Sequence, residues 1–285
     1  MAAAIAARHP SAQAVLFYGS CLRETRLDGL MLDFYLIVGD YAQAFDRKWL
    51  ATANRLIPPN VFPFEHDGLI AKYAVLSEVD FHRLAGPETR NVSVWARFAQ
   101  PSRLVWSANI AAGERAIAAV ARAAPTLLVS ARPCTADRLD PLDLWREAFA
   151  LTYRAELRAE RGSRAGSVVD ADPARYRAFT LPALAAAGID ARIDGGMLAF
   201  AHAVTPAERT ANVRAWARRR REGKALTLLR LLKATGTYAG GLDYLAWKIS
   251  RHSGVPVAIR TWQRRWPVAG ALALLPRLLL KGAVR

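Results

Sequence analysis

The stretch Ala14-Val15-Leu16-Phe17-Tyr18-Gly19-Ser20 is followed, after a polar interval, by Met31-Leu32-Asp33-Phe34-Tyr35-Leu36-Ile37-Val38, and the pair decides the fold. Each is a short apolar run rich in β-branched and aromatic residues and closed by a glycine, Gly19 or Gly39, so both read as strands. A third strand is expected over 70–76, around Lys72-Tyr73. Val92–Trp95 and Arg103–Trp106 flank the segment Arg97-Phe98-Ala99-Gln100-Pro101. Residues 109–123 are alanine-rich with helical spacing, and Pro125 interrupts them. Strands and helices mixed in this way point to an α+β or α/β domain, and α+β is the preferred reading.

Working outward, residues 141–161 have helical periodicity through Leu144, Phe149, Leu151 and Leu157, with a Gly/Ser-containing break over 162–166. A short helix is expected over 182–187, stopped by Gly188, and a hairpin over 193–201 turning at Gly195-Gly196. Helices followed by a small hairpin suggest a winged-helix-like second domain. Thr205-Pro206-Ala207-Glu208 is a helix start, with a capping threonine, proline at the first position and an acid in the first turn. The organisation expected is therefore 1–125, a catalytic α+β domain; 126–204, a helical, winged-helix-like domain; and 205–285, a basic helical region.

Composition bounds the function. The chain has 285 residues, 53% of them hydrophobic, which excludes a disordered polymer. Its two cysteines, Cys21 and Cys134, exclude a disulfide framework and fit a reducing compartment. The start, MAAAIAARHP, lacks the basic segment of a secretory signal. The apolar run 268–280 falls short of the roughly 20 residues a spanning helix needs and is broken by Pro276 and Arg277. Net charge is +16, from 40 Lys+Arg against 24 Asp+Glu, and it is unevenly placed. Residues 209–285 hold 17 Lys/Arg and two acids, Glu222 and Asp243, whereas residues 1–208 are nearly neutral.

The chemistry-bearing pattern is Gly19-Ser20, twelve residues, then Asp33. It resembles the nucleotidyltransferases of the polymerase-β type, in which a Gly-Ser turn holds a nucleotide's phosphates and strand carboxylates hold Mg²⁺ against them. The usual second carboxylate, two residues on and on the same strand face, is Tyr35 here, a poor Mg²⁺ ligand at neutral pH. Candidates to complete the metal site are Asp40 just past the strand, and Asp67, Glu78 or Asp80 near the third strand.

More narrowly, the chain resembles the mitochondrial-type phosphatidate cytidylyltransferases, the translocator assembly and maintenance family, which make CDP-diacylglycerol from CTP and phosphatidate. Four blocks in order carry the resemblance: Tyr18-Gly19-Ser20 with Asp33-Phe34 through Val38 and Asp40; Lys72-Tyr73-Ala74-Val75-Leu76-Ser77; Ala96-Arg97-Phe98-Ala99-Gln100-Pro101; and Leu151-Thr152-Tyr153-Arg154-Ala155-Glu156-Leu157-Arg158. The chain departs from the family pattern at Cys21, where the family has glycine, and in lacking a Trp-His-x-x-Asn stretch. These departures bear on nucleotide choice. The resemblance implies a polymerase-β-like fold, transfer of CMP from CTP to phosphatidic acid with release of pyrophosphate, and Mg²⁺ on Asp33 and Asp40. It further implies phosphate contacts from Tyr18, Gly19, Ser20, Lys72, Arg97 and Tyr153, and catalytic roles for Asp33, Asp40, Lys72, Glu156 and Arg158. The plainer readings are Tyr153 as a packing residue, Lys72 as a surface lysine and Cys21 as a small packing residue. The five histidines show no zinc spacing, and no Gly-x-Ser-x-Gly is present.

Arg218–Arg221, the leucines from Leu226 to Leu232, and Arg260-Thr261-Trp262-Gln263-Arg264-Arg265-Trp266 have the composition of an interfacial amphipathic segment. Each basic residue near an anionic surface adds about 1 kcal/mol. The preferred expectation is a peripheral membrane protein on the cytoplasmic face of a bacterial inner membrane, or the matrix side of the mitochondrial inner membrane. An Arg run with Trp also suits nucleic acid, but no RNA-binding signature accompanies it. Transfer to another phosphate or hydroxyl acceptor, or an inactive relative that binds membrane or RNA, remain the alternatives.

Overall fold

Both quoted runs are strands. In a computed structural model, the chain is described over residues 1–23, 29–156 and 164–237, together with 259 and 261. After α1 (Ala2–Ala6), β1 (Ala12–Tyr18) ends at the Gly-Ser turn and β2 (Met31–Val38) returns antiparallel to it. Two helices, α2 (Tyr41–Ala44) and α3 (Lys48–Leu56), lead to the hairpin β3 (Asn60–His66) and β4 (Leu69–Ser77). Then follow α4 (Glu78–Ala85), α5 (Trp95–Phe98), β5 (Ser102–Ser107), α6 (Ile110–Ala121) and α7 (Ala123–Ala131). The five strands form one mixed sheet in the order β3-β4-β2-β1-β5, with β2 and β4 parallel and the other pairs antiparallel. The class is α+β, as expected.

Both faces of the sheet are covered, which is why β2 reads as a nearly continuous apolar run. Phe34, Leu36 and Val38 face a cluster with Val15, Tyr73, Val75 and Ile5. Tyr35 and Ile37 face a larger cluster with Leu16, Leu76, Phe81, Trp95 and Leu127.

β3 was not foreseen. Its interior Pro63 argues against a strand, but β3 lies at the sheet edge, where a missing N–H is tolerated. The β3–β4 turn is Asp67-Gly68, both at positive φ (52° and 73°), as a two-residue hairpin loop of this type requires. Pro125 does not break a helix; it falls in the first turn of α7, which follows α6 after a single residue.

The second region contains β6 (Arg138–Leu139), α8 (Pro141–Ala155), α9 (Arg164–Asp170), α10 (Pro173–Ala186), β7 (Ala191–Asp194) and β8 (Met197–Phe200). The strands pair in the order β6-β8-β7. Gly195 and Gly196 make the expected turn, at φ 57° and 78°. α10 begins nine residues before the expected Pro182. Asp172 caps it by accepting from Arg175 N, and Pro173 takes the first position. It ends at Gly188 (φ 69°), where Ile189 N and Gly188 N donate to Leu184 O and Ala185 O.

The last described helix, α11 (Pro206–Thr237), starts with a reciprocal cap. Thr205 N and Oγ1 both donate to Glu208 Oε2 at 2.8 Å, and Glu208 N donates to Thr205 Oγ1 at 3.2 Å. It is not a separate appendage, and this corrects the expectation that the body stops at 204. Trp216 is buried in the larger core, donating through Nε1 to Ser130 O at 2.9 Å and meeting Trp95 edge-on. Gly223 crosses α8 so closely that a Cβ there would lie 2.1 Å from Ala155 O. The larger core runs without a break from β1 through α7 and α8 to Trp216, so the boundary expected at 125/126 falls inside α7.

Candidate active site

One rung of the sheet gathers the chemistry. Tyr18 on β1 pairs with Asp33 on β2, and Asp33 pairs with Lys72 on β4. Paired residues in adjacent strands share a face, so the three side chains stand in a row on the side of the larger core. The next rung on that face is Leu16, Tyr35 and Ala74, all buried. The polar row is thus the rim of an apolar interior.

Lys72 Nζ lies 3.1 Å from Asp33 Oδ1, with the two side chains 30% and 23% exposed. The contact is an ion pair without hydrogen-bond alignment, and Oδ1 is buried with no hydrogen-bond partner among the described residues. Gly19 closes over the same carboxylate. Its φ of 95° suits glycine, and a Cβ there would come 3.1 Å from Asp33 Oδ2. Ser20 follows at the surface, opening a single tight turn.

Tyr18, Tyr35 and Phe98 wall the site, with Tyr18–Tyr35 and Tyr35–Phe98 centroids each 5.1 Å apart. Burial first, then Asp33, raises the Tyr18 phenol well above its usual range, with Arg97 partly opposing, so it stays a neutral donor. Arg97 comes from α5. Its guanidinium carbon is 5.9 Å from the Tyr18 ring centroid, and Nη1 donates to Ser93 O at 3.1 Å. Burial works against its charge, but Tyr35, Tyr18, Glu156 and Asp33 outweigh that, and Arg97 holds its proton more firmly than usual. Glu156, at the C-terminal end of α8, is therefore part of the same electrostatic neighbourhood.

Sequence reasoning missed Arg230. This residue of α11 donates through Nε to Pro58 O at 2.7 Å and through Nη1 to Ser93 Oγ at 2.9 Å. Nη2 is buried and has no partner among the described residues. Burial lowers its pKa, Tyr35 and Glu156 oppose this, and Arg97 adds to it. One turn on, Lys233 donates to the carbonyls of Ile57 and Pro59. Nothing local in the sequence marked Arg230 among the basic residues of α11, because its partners lie 137 and 172 positions away.

The structure does not bring Asp40 to this site, which corrects its assignment as a metal ligand. Asp33 lies near the start of β2 and Asp40 beyond its end, and the five extended steps from Asp33 to Val38 alone span roughly 17 Å. Asp40 instead caps α2 by accepting from Ala42 N, pairs with Arg55 at 3.6 Å, and is 55% exposed. Because β2 and β4 run parallel, Glu78 and Asp80 fall at that same far end. Glu78 pairs with Arg115, while Asp80 takes Arg83 and the Tyr41 hydroxyl. Asp67 sits in the β3–β4 turn, 83% exposed and beside His66. Among the described residues no group of three or more His, Cys, Asp or Glu could hold a metal. Tyr153 packs against the larger core, and Cys21 is buried in the smaller one. Arg158 lies outside the described residues.

No protein-family model matches the chain, and no curated protein matches it. A similar solved structure is that of a nucleotidyltransferase-like protein from Exiguobacterium sibiricum 255-15, at 10% identity and a TM-score of 0.27. The match covers 98% of this chain and 89% of that one. The α+β class rests on the sheet described above, a mixed five-stranded core in which a Gly-Ser turn closes over a strand aspartate.

Proposed function

We propose that the chain is a nucleotidyltransferase that moves CMP from CTP to phosphatidic acid at a membrane surface. The observation that carries this is Asp33. A buried carboxylate oxygen that has the Lys72 ion pair but no hydrogen-bond partner among the described residues, on a carboxylate that a Cβ at Gly19 would crowd, is costly unless it has a task. Mg²⁺ fits that oxygen, since it commonly takes one or two protein carboxylates and fills its shell with substrate phosphates and water. When bound, the ion would neutralise charge on the triphosphate.

This chain's residues would do the rest. Gly19 brings its backbone against the phosphates, and the Ser20 hydroxyl donates to them. Lys72 balances the negative charge on the Asp33 row, while Tyr18, Tyr35 and Phe98 exclude water from it. A phosphate oxygen of the acceptor attacks the α-phosphorus, forming a P–O–P bond as the α–β bond breaks and pyrophosphate leaves. Arg97 supports a phosphate acceptor over a hydroxyl one, because it adds a guanidinium beyond the Lys72 ammonium.

The membrane part rests on the basic C-terminal region. Arg220 and Arg221 lie on α11, while Trp262, Arg264, Arg265 and Trp266 lie outside the described residues. No described helix is long and apolar enough to cross a membrane. A second reading, an inactive relative that keeps only binding, is favoured by Tyr35, which stands buried where a second carboxylate would be. A nucleotide-by-acceptor matrix separates the two. The transferase reading expects pyrophosphate release with CTP, Mg²⁺ and phosphatidate vesicles and much less with vesicles lacking phosphatidate. Silence with every nucleotide and acidic lipid sinks it.

A further inference from the structure

We propose that Arg97 and Arg230 form a phosphate subsite beside Asp33, completed by α11, that takes the phosphomonoester of the acceptor. The two guanidinium groups converge on one residue: Arg97 Nη1 on the Ser93 carbonyl and Arg230 Nη1 on the Ser93 hydroxyl. Ser93 is itself fixed, its N–H and hydroxyl both donating to Asn91 Oδ1 at 3.0 and 2.8 Å. Its hydroxyl therefore accepts from Arg230 and donates to Asn91, a direction set by Asn91 rather than by any ligand.

A structural role alone does not account for Arg230. Anchoring α11 uses Nε on Pro58 and Nη1 on Ser93, and Lys233 adds bonds to Ile57 and Pro59. Nη2 remains, shut away from water with no partner among the described residues. Two guanidinium groups and the Lys72 ammonium face two carboxylates, Asp33 and Glu156, and Asp33 is already paired with Lys72. Among the described residues that these interactions link, cations outnumber carboxylates, in a place that burial makes expensive for cations. A phosphate monoester, tetrahedral and carrying up to two negative charges, offsets this excess and gives Nη2 an acceptor.

The helix that supplies Arg230 is the one that leads into the basic C-terminal region. Docking of α11 across α8 at Gly223 thus sets whether the subsite is whole. Arg230 is a binding residue for the acceptor, distinct from the nucleotide contacts at Gly19 and Ser20. For the identity of the acceptor the subsite rests on the transferase reading; for its anion it does not.

The test is equilibrium calorimetry on the full chain with three probes: inorganic phosphate, soluble dihexanoyl phosphatidate, and CTP. Loss of a charge-assisted pair is worth about tenfold or more in affinity. Arg230→Gln is expected to weaken phosphate and dihexanoyl phosphatidate by that factor while moving CTP less than about twofold; Arg230→Lys recovers part of the loss. Should Arg230→Gln unfold, Ser93→Ala, which removes only the orienting hydroxyl, is expected to weaken the same two probes. Unchanged phosphate affinity in these variants, or a loss confined to CTP, overturns the subsite. If phosphate binding depends on Arg230 but dihexanoyl phosphatidate binds no better than phosphate, the subsite stands and the lipid-acceptor reading fails.

Discussion

The two ends of β2 put the same residue type to opposite uses. At one end Asp40 is exposed, caps α2, and pairs with Arg55. At the other end Asp33 is half-buried under Gly19, beside a lysine, with one oxygen lacking any hydrogen bond among the described residues. An acid whose neighbours fully satisfy it is structural. An acid whose buried oxygen has an ion pair with Lys72 but no hydrogen bond among the described residues is the better candidate to meet a ligand. The contrast extends across the sheet, since Glu78 and Asp80 share the far end with Asp40 and are paired as well.

Substitutions can break that contrast. Asp33→Ala is expected to cost the most, about 10²–10³-fold or more in pyrophosphate release, as for removal of a principal charge-stabilising group. Thermal melts should show the variant folded. Gly19→Ala comes next. Strain at its positive φ costs about 1–3 kcal/mol, and the added methyl crowds Asp33 Oδ2, so the melting temperature and the turnover should both drop.

A pH series reads the helix that joins the site. Burial, with Arg230 adding to it, pushes Lys233 down to about 7. Its unfolded value is about 10.4, so between these limits the unfolded chain binds the extra proton and stability rises with pH. The wild-type protein should gain up to a few kcal/mol relative to Lys233→Met between about pH 7 and pH 10. Parallel pH curves for the two proteins would remove Lys233 from the account. The smallest effect belongs to Asp40→Ala, which loses a cap worth about 1 kcal/mol and leaves turnover within about twofold.

The sequence made β1, β2, the Gly-Ser turn and the start of β4 legible, because apolar alternation and glycine punctuation are local signals. The turn at Gly195-Gly196 and the Thr205 cap were legible for the same reason. Legibility ended where position in the sheet decided the matter. Pro63 looks like a strand breaker until β3 is known to be an edge. Asp40 looks like a metal ligand until the strand is seen to carry it away from Asp33. The basic run from Arg209 reads as a membrane-facing segment, yet its own Trp216 is core and its Arg230 bonds to Ser93 beside Arg97. A helix with charge on most sides shows no stripe to announce which face is docked. Part of the charge of that region, Arg230 and Lys233, therefore ties α11 to the body of the fold. The part beyond residue 237 lies outside the described residues, apart from 259 and 261.

The central claim is that chemistry belongs to the Asp33 end of the sheet, and it is tested most directly by comparing Asp33→Ala with Asp40→Ala. Pyrophosphate release would be followed with CTP, Mg²⁺ and phosphatidate vesicles under one set of conditions. The account predicts loss of turnover in Asp33→Ala and near wild-type turnover in Asp40→Ala. Turnover that survives the first substitution and fails with the second would contradict it.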